Sequence, residues 1–321
     1  MKILVPALAF LLLGELFVLR ERTYSKAWLT TVPAQEALSP TSPHALGGVS
    51  WDPGLYRNAP ALEPFAAMVR EHCPKLPPFG LVTCLSNLLA KRFAHGGPPS
   101  QLFDQRFEPA LALAGHLAGE PGHCVSRSGI LAAALLVSGV PARVVQLQWL
   151  PDSGPAHGHN AFEFFDPERG WTLFDPTYGG YFENTAGARS AAAAAFAGLP
   201  AFWQKAGAIP AGLENAPTPA ESASLAPHAV AFLSYVEPWL YTRIGEKLAP
   251  EPFNGRFVIV GPHATAMVLG HWALRGAIVF TGLALLGCGI AAFKLRRRQR
   301  NSIRDEEAEA VSEETVAMRA G

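Results

Sequence analysis

A run of eighteen apolar residues without a charge, residues 276–293, constrains the fold of the chain most. In an α-helix, which rises about 1.5 Å per residue, such a run spans roughly 27 Å, close to the thickness of a bilayer core. A basic cluster follows it at once: Lys294, Arg296, Arg297, Arg298 and Arg300. Because basic residues stay on the cytoplasmic side, we predict a transmembrane helix over 263–293 and a cytoplasmic tail over 294–321. A buried core helix, the alternative, would need apolar cover that the polar tail does not offer.

A second apolar run covers residues 3–19, interrupted by Glu15 and preceded by Lys2. It fits either a membrane span or the apolar core of a secretion signal. Since no small-x-small cleavage site follows closely, we favour an uncleaved signal anchor over residues 1–20 to a cleaved signal peptide. Two spans and a cytoplasmic C-terminus place the N-terminus in the cytoplasm as well. In a bacterium, the residues between the spans would then lie in the periplasm, anchored to the inner membrane.

The charge balance excludes two classes of protein. The chain has 26 basic and 26 acidic residues among 321, and it is 49% hydrophobic and 10% aromatic. Nucleic-acid-binding proteins carry a basic excess, and disordered chains combine high charge with few aromatic side chains. We therefore expect a folded, membrane-embedded protein with no nucleic-acid partner.

Composition also divides the part between the two apolar runs. Residues 21–60 are predicted to be a juxtamembrane linker, and residues 61–185 a folded core that begins with two amphipathic helices. Residues 186–262 are rich in alanine and proline, which favours helices with a loop around 216–220. The aromatic segment at 229–248 could be a helix at the membrane surface or a core helix, and we leave both open.

The four cysteines lie in different environments. Cys288 falls inside the predicted span, where a thiol is an inert apolar filler. Cys73 and Cys84 fall in the predicted exported part, where oxidation is permitted, and are candidates for a disulfide; two separate buried thiols are the alternative. Cys124 is left over. An unpaired thiol in an oxidising compartment indicates a function.

The surroundings of Cys124 predict a helix that begins at this residue. Apolar positions recur at helical spacing after it, and Gly139 with Pro141 is a stop signal. At the start of a helix, unpaired N–H groups and the positive end of the dipole favour the thiolate, which is the nucleophilic form of cysteine.

Three strands are predicted after this helix, over 143–149, 159–165 and 171–175. The last two are joined by a short turn, so His159 and Asp175 should lie near each other in an antiparallel ribbon, with Cys124 packed over its edge. A cysteine, a histidine and a carboxylate are the nucleophile, base and orienting group of an acyl-transfer site. His157 is the alternative base.

These residues resemble the transglutaminase-like superfamily, circularly rearranged relatives of papain. The family's G-x-C motif opens a helix that ends in G-I-P-A-R, and the chain has Gly122-His123-Cys124 and Gly139-Val140-Pro141-Ala142-Arg143. The family's histidine precedes a glutamate by four on a strand, as His159 precedes Glu163. Its aspartate opens a D-P-T after a strand containing tryptophan, as in residues 171–177. The motifs cover about residues 80–185.

The resemblance implies an α+β fold in which a Cys-bearing helix packs on an antiparallel sheet that carries His and Asp, here flanked by helices and two transmembrane helices. It also implies attack on a carboxamide, a glutamine side chain or a peptide bond, to give a thioester. Because the core is predicted to be exported, we expect the substrate to be an envelope protein or peptide. An amine acceptor would give a cross-link, and water would give deamidation or proteolysis. We expect no cofactor. A non-catalytic membrane-bound interaction module on the same fold is the alternative.

The remaining site residues are less determined by the sequence. The backbone N–H of Cys124 is the default oxyanion donor, and Gln101, Gln105 and Asn87 are candidates for a second. Arg127 and Ser126 are candidates for substrate binding. Glu163 is more typical of an ion-pair partner, with Arg143 as one candidate. His123, His157 and His159 make only a weak metal-site pattern, and we expect no metal. Residues 178–181 are either a loop that borders the cleft or an exposed turn.

Overall fold

A large, mainly antiparallel sheet carries the fold. The structure is a computed structural model, and it describes residues 4–21, 28–32, 45–46, 49–50, 53–55, 62–96, 109–149, 157–197, 199–216, 230, 232–236 and 256–320. The chain divides into two compact units, one formed by Lys26–Val268 and the other by Met1–Ser25 with Leu269–Gly321.

Eight of the described strands form this sheet, and two more form a small hairpin. The strands are β1 (Trp28–Thr31), β2 (Ala45–Leu46), β3 (Val49–Ser50), β4 (Ala142–Trp149), β5 (His157–Asp166), β6 (Gly170–Asp175), β7 (Gly180–Asn184), β8 (Ala201–Lys205), β9 (Phe232–Val236) and β10 (Arg256–Val260). The order in the sheet is β1-β10-β9-β4-β5-β6-β7-β8, while β2 pairs with β3. Among these neighbours only β1 and β10 run parallel.

The described helices are α1 (Leu4–Glu21), α2 (Glu63–His72), α3 (Pro78–Arg92), α4 (Pro109–Leu117), α5 (Cys124–Val137), α6 (Ala191–Phe196) and α7 (Ala264–Ala320). Helix α5 is central: it packs on β4 and β5 and is contacted by α2, α3 and α4. Every residue of α5 from Val125 to Leu136 is buried. An apolar helix covered on all sides in this way belongs to the core of the fold.

The core lies between α5 and the sheet. Leu131 and Leu135 of α5 and Phe162 and Phe174 of the sheet are fully buried, and the two phenylalanine rings lie 5.7 Å apart between centroids. Helix α5 ends at Val137 because Gly139 adopts the left-handed conformation, with φ of 84°, which glycine tolerates best. The predicted α+β fold with a Cys-bearing helix on an antiparallel sheet is therefore correct for this unit.

The helical prediction for residues 186–262 is wrong for most of the described residues there. The alanine run forms only the short helix α6, whereas β8, β9 and β10 are strands of the large sheet. Strand β9 lies inside the aromatic segment for which a helix was expected, and residues 237–255 lie outside the described residues. Backbone pairing with β4 and β10 outweighed the local helix preference. The folded unit is thus wider than the predicted core, 61–185.

A disulfide joins α2 to α3. Cys73, directly after α2, is bonded to Cys84 within α3, with an S–S distance of 1.99 Å. Both helices pack against α5. Since a bridge over a short loop restricts the unfolded chain, this one is expected to stabilise the unit by about 2–4 kcal/mol.

The second unit contains α1 and most of α7. Of the described residues, only those at 264–302 in α7 form a helix long and apolar enough to cross a membrane, while the apolar part of α1, Leu4–Leu16, is shorter. A hydrogen bond joins the two helices, from Thr281 Oγ1 to Glu15 Oε1 at 3.3 Å. Helix α7 continues through the charged tail to Ala320. The described part of the chain therefore contains one candidate span, and the second remains a prediction.

Candidate active site

Cys124 is the first residue of α5. His123, in front of it, is extended, with φ of −103° and ψ of 174°, and its N–H donates to Ser126 Oγ at 3.0 Å. This arrangement is half of a capping box and fixes the start of the helix. The Cys124 thiol is free and half-buried. Burial opposes its ionisation, but the charge of His159 and hydrogen bonds from His159 and the Asn160 backbone lower the pKa of Cys124.

His159 lies on β5 and bonds Asp175 at the end of β6. The two strands are antiparallel neighbours, and His159 Nε2 lies 2.8 Å from Asp175 Oδ2. Because the carboxylate occupies Nε2, the other ring nitrogen, Nδ1, is left for the hydrogen bond with Cys124. The pKa of His159 is raised well above its ordinary value: burial lowers it, but the negative charges of Asp175 and Cys124 outweigh burial.

Asp175 is held on its other side by the backbone. Its Oδ1 accepts from Thr177 N at 2.9 Å, and both residues are buried. With one oxygen on the backbone and the other on the imidazole, the carboxylate has little freedom to rotate. Such a fixed carboxylate selects one tautomer of the histidine and supports its charge.

Asn160 is a site residue that the sequence did not reveal. Its Nδ2 lies 3.9 Å from Cys124 Sγ. Ser128 Oγ, which is buried, lies 2.8 Å from the carbonyl oxygen of Cys124 and 3.1 Å from that of Asn160. Ser128 therefore ties the first turn of α5 to β5 at the point where the thiol and the imidazole meet. Regular strand alternation would place Asn160 and His159 on opposite faces, so the pattern alone gave no signal that both side chains reach the thiol.

Histidines on neighbouring segments surround the start of α5, and the sequence did not reveal two of them. The His95 ring lies 5.6 Å from that of His123, and its pKa is lowered to about 4, first by burial and then by Arg127 and His123. Buried His116 holds the carbonyl oxygen of Glu120 with Nδ1 at 2.9 Å, and burial lowers its pKa. Both imidazoles are therefore neutral at neutral pH.

Gly122 of the G-x-C motif is required by close packing against His116. A Cβ at position 122 would lie 1.9 Å from His116 Cε1. His116 Nε2 also lies 3.3 Å from Ser126 Oγ, so the imidazole cannot move without disturbing the cap of α5. The glycine thus lets a buried imidazole support the helix that carries Cys124.

The prediction that Arg127 binds substrate is wrong, because its side chain does not have the exposure that a substrate-binding residue needs. The side chain is fully buried, and its Nη2 donates to the carbonyl oxygen of Phe93. Burial lowers its pKa to about 10. Arg127 faces inward from a helix that is buried all round, so we assign it to the support of the loop after α3.

Glu163 and Arg143 support the sheet behind the site. Arg143 Nε donates to Glu163 Oε2 at 2.6 Å, which confirms the predicted pairing, and both side chains are almost wholly buried. Glu163 Oε1 accepts from Ala191 N at the start of α6. The Arg143 guanidinium stacks on Trp171 at 4.0 Å from the ring centroid. The pair therefore joins β4, β5, β6 and α6, away from the thiol.

Tyr178 borders the histidine. Its ring lies 6.0 Å from the His159 ring, and it is nearly buried, so an exposed turn is excluded at this position. Burial, with the charges of Asp175 and Cys124, raises the pKa of Tyr178 to about 12. The phenol thus stays neutral and keeps its O–H as a donor.

Other predicted residues lie elsewhere. Gln101 and Gln105 lie outside the described residues. Asn87 Oδ1 accepts from Ala208 N at 2.6 Å and thereby holds the loop after β8. Within the part of the chain that the structure describes, no group of three or more His, Cys, Asp or Glu could hold a metal ion.

One comparison with known protein families agrees with the resemblance. Residues 70–176 match the model of the transglutaminase-like superfamily, and they form a transglutaminase-like domain that contains Cys124, His159 and Asp175. No match was found among curated proteins. Among solved structures, the chain is similar to that of a putative cysteine protease from Cytophaga hutchinsonii, at 16% identity with a TM-score of 0.28. That similarity covers 38% of this chain and 39% of the other, so the chain spans about two fifths of the length of the Cytophaga hutchinsonii protein.

Proposed function

We propose that the chain is a membrane-anchored cysteine enzyme that transfers the acyl group of a carboxamide through a thioester on Cys124. The substrate would be a glutamine side chain or a peptide bond of an envelope protein or peptide. One observation carries the proposal: His159 bonds Asp175 at 2.8 Å and also bonds the thiol of Cys124, at the start of a buried helix. A structural cysteine would need neither partner.

In the proposed reaction, the Cys124 thiolate attacks the carbonyl carbon. A C–S bond forms, and the π electrons of the carbonyl move to oxygen. When the intermediate collapses, the C–N bond breaks and the nitrogen takes a proton from the His159 imidazolium, which leaves a thioester. An amine or water then attacks the thioester and gives a proton to His159, and the thiolate departs. Asp175 stabilises the imidazolium throughout.

The nature of the acceptor separates the two enzyme classes. Incorporation of a fluorescent primary amine into envelope proteins, by wild type and not by Cys124→Ala, would establish transglutamination. Release of ammonia or of peptide fragments without incorporation would establish hydrolysis. Neither product from wild type, with the same envelope fraction as substrate, would contradict the proposed activity.

Selective alkylation tests the thiolate directly. We expect iodoacetamide at mildly acidic pH to label Cys124 faster than Cys288, because only Cys124 has a paired imidazole. His159→Ala should remove that preference, and Cys124→Ser should remove the label at position 124. Equal, slow labelling of all accessible thiols in wild type would contradict the proposed enzymatic activity and favour a non-catalytic interaction module on the same fold.

We also propose that the catalytic unit lies outside the cytoplasm, in a bacterium in the periplasm, between two membrane helices. The apolar run in α7 and the basic cluster after it support a cytoplasmic C-terminus, and the apolar part of α1 supports a second anchor. Protease added to spheroplasts should therefore digest the unit at 26–268 and spare a tag at the C-terminus. A unit that stays protected until the membrane is dissolved would overturn this topology.

A further inference from the structure

We propose that the Asn160 side-chain amide is the side-chain donor of the oxyanion hole. This inference rests on the proposed function, since only acyl transfer creates an oxyanion. Asn160 Nδ2 lies 3.9 Å from Cys124 Sγ, and Asn160 is half-exposed. Its amide therefore reaches the reacting sulfur from a position that a substrate can also reach.

The geometry follows from where the negative charge moves. Before attack, the charge is on Sγ; after attack, it is on an oxygen only two covalent bonds away, through the carbonyl carbon. A donor in contact with the sulfur is thus positioned to follow the charge with a small rotation of its side chain. Hydrogen bonds of this kind are often long before substrate binds and shorten in the transition state.

Two further contacts fix the donor in place. Ser128 Oγ lies 2.8 Å from the carbonyl oxygen of Cys124 and 3.1 Å from that of Asn160. These contacts hold the backbone of β5 against the start of α5. The Asn160 backbone also donates a hydrogen bond to the Cys124 thiol.

The backbone N–H of Cys124, in the first turn of α5, has no partner within the helix ladder and supplies the second donor. One side-chain amide and one main-chain N–H then bind the same oxygen.

Two reagents separate this role from general support of the thiolate. p-Nitrophenyl acetate acylates a thiolate through a tetrahedral oxyanion, and p-nitrophenolate leaves without needing a proton from His159. Iodoacetamide alkylates the same thiolate by displacing iodide, and no oxyanion forms. The rate of p-nitrophenolate release and the rate of alkylation of Cys124 are to be measured across pH, with the full-length protein in detergent.

For Asn160→Ala we expect the acylation rate to fall by about 10²- to 10³-fold, the effect of removing one oxyanion donor. The plateau of the alkylation rate at high pH should stay close to that of wild type, although the profile shifts to higher pH because the thiolate has lost a donor. An alkylation midpoint that stays below that of an ordinary thiol reports that His159 still pairs with Cys124, and therefore that the site is folded. Gln204→Ala, which removes an exposed amide from β8, is the matched control and should change neither rate.

Two results would overturn the inference alone. In one, wild type and Asn160→Ala are acylated at equal rates; in the other, acylation and the alkylation plateau fall by the same factor. A wild type that p-nitrophenyl acetate does not acylate on Cys124 would instead contradict the proposed function, and this inference with it.

Discussion

At the scale of single residues, the site depends on charges that stabilise each other. The pKa of Cys124 is lowered and that of His159 is raised, so the thiolate and the imidazolium coexist between the two values. Cys124 must lose its proton for attack, and His159 must keep one to protonate the leaving group. We expect activity to rise as pH passes the lowered pKa of Cys124 and to fall as pH passes the raised pKa of His159. The measurement is the pH profile of kcat/KM.

Asp175→Asn tests the origin of the alkaline limit. Loss of the carboxylate removes a negative charge that raises the pKa of His159, so the alkaline limb should move to lower pH. The rate at the optimum should fall by about 10⁴-fold if the asparagine also selects the wrong tautomer. An unchanged alkaline limb would show that Asp175 does not act through His159. Asp166→Asn, which alters a carboxylate at the end of β5, is the control.

Gly122 gives a prediction of stability. Gly122→Ala would force a Cβ against the His116 ring, at 1.9 Å before any relaxation, and should destabilise the protein by about 1–3 kcal/mol through overpacking. Gly80→Ala is the matched control, because its Cβ would meet nothing closer than 3.5 Å. Thermal unfolding of both variants checks this. An equal Tm for Gly122→Ala and wild type would contradict the packing account.

At the scale of elements, the buried pair Arg143–Glu163 joins three strands to α6. Arg143→Met would leave the buried Glu163 carboxylate without its cation, at a cost of about 3–5 kcal/mol. Arg143→Met with Glu163→Leu should cost less than the sum of the two single changes, because the second change removes the uncompensated charge. Denaturant unfolding of all four proteins gives the coupling energy. Additive costs would mean that the pair is not coupled.

The disulfide belongs to the same scale. Cys73→Ala with Cys84→Ala should lower the free energy of unfolding by about 2–4 kcal/mol. Alkylation of Cys124 at a temperature where the variant is still folded should be unchanged, since the bridge lies between α2 and α3. A strongly slowed alkylation there would show that these helices also position α5.

Local patterns predicted the elements that carry Cys124, His159 and Asp175, and long-range pairing explains what those patterns missed. Helix α5 and strands β4 to β6 were visible because periodicity, stop signals and turn residues act over short distances. Strands β1 and β10 were not: Thr31 Oγ1 bonds the carbonyl oxygen of Ile259, 228 residues away, and no local pattern encodes that pairing. Asn160 and His95 were missed for the same reason, because only the folded chain brings Asn160 to the Cys124 thiol and His95 to the His123 ring.

At the scale of the whole molecule, charge rather than packing is proposed to set the orientation in the membrane. Replacing the five basic residues Lys294, Arg296, Arg297, Arg298 and Arg300 with glutamine should reduce the fraction of chains whose C-terminus is cytoplasmic. Protease accessibility of a C-terminal tag measures that fraction. A matched set of glutamine changes at acidic positions in 305–314 should have little effect. Full protection of the tag in the basic-cluster variant would contradict the proposal.

The parallel pair at the edge of the sheet has a mechanical consequence. The unit Lys26–Val268 begins just before β1 and ends just past β10, and in a parallel pair the start of one strand and the end of the other lie at opposite ends of the ladder. Tension between the two ends of the unit would therefore load all four paired positions, from Trp28–Arg256 to Thr31–Ile259, at once in shear. An antiparallel pair pulled from the same end would open one bond at a time. This parallel edge pair would thus resist tension between the two ends of the unit better than an antiparallel pair in its place.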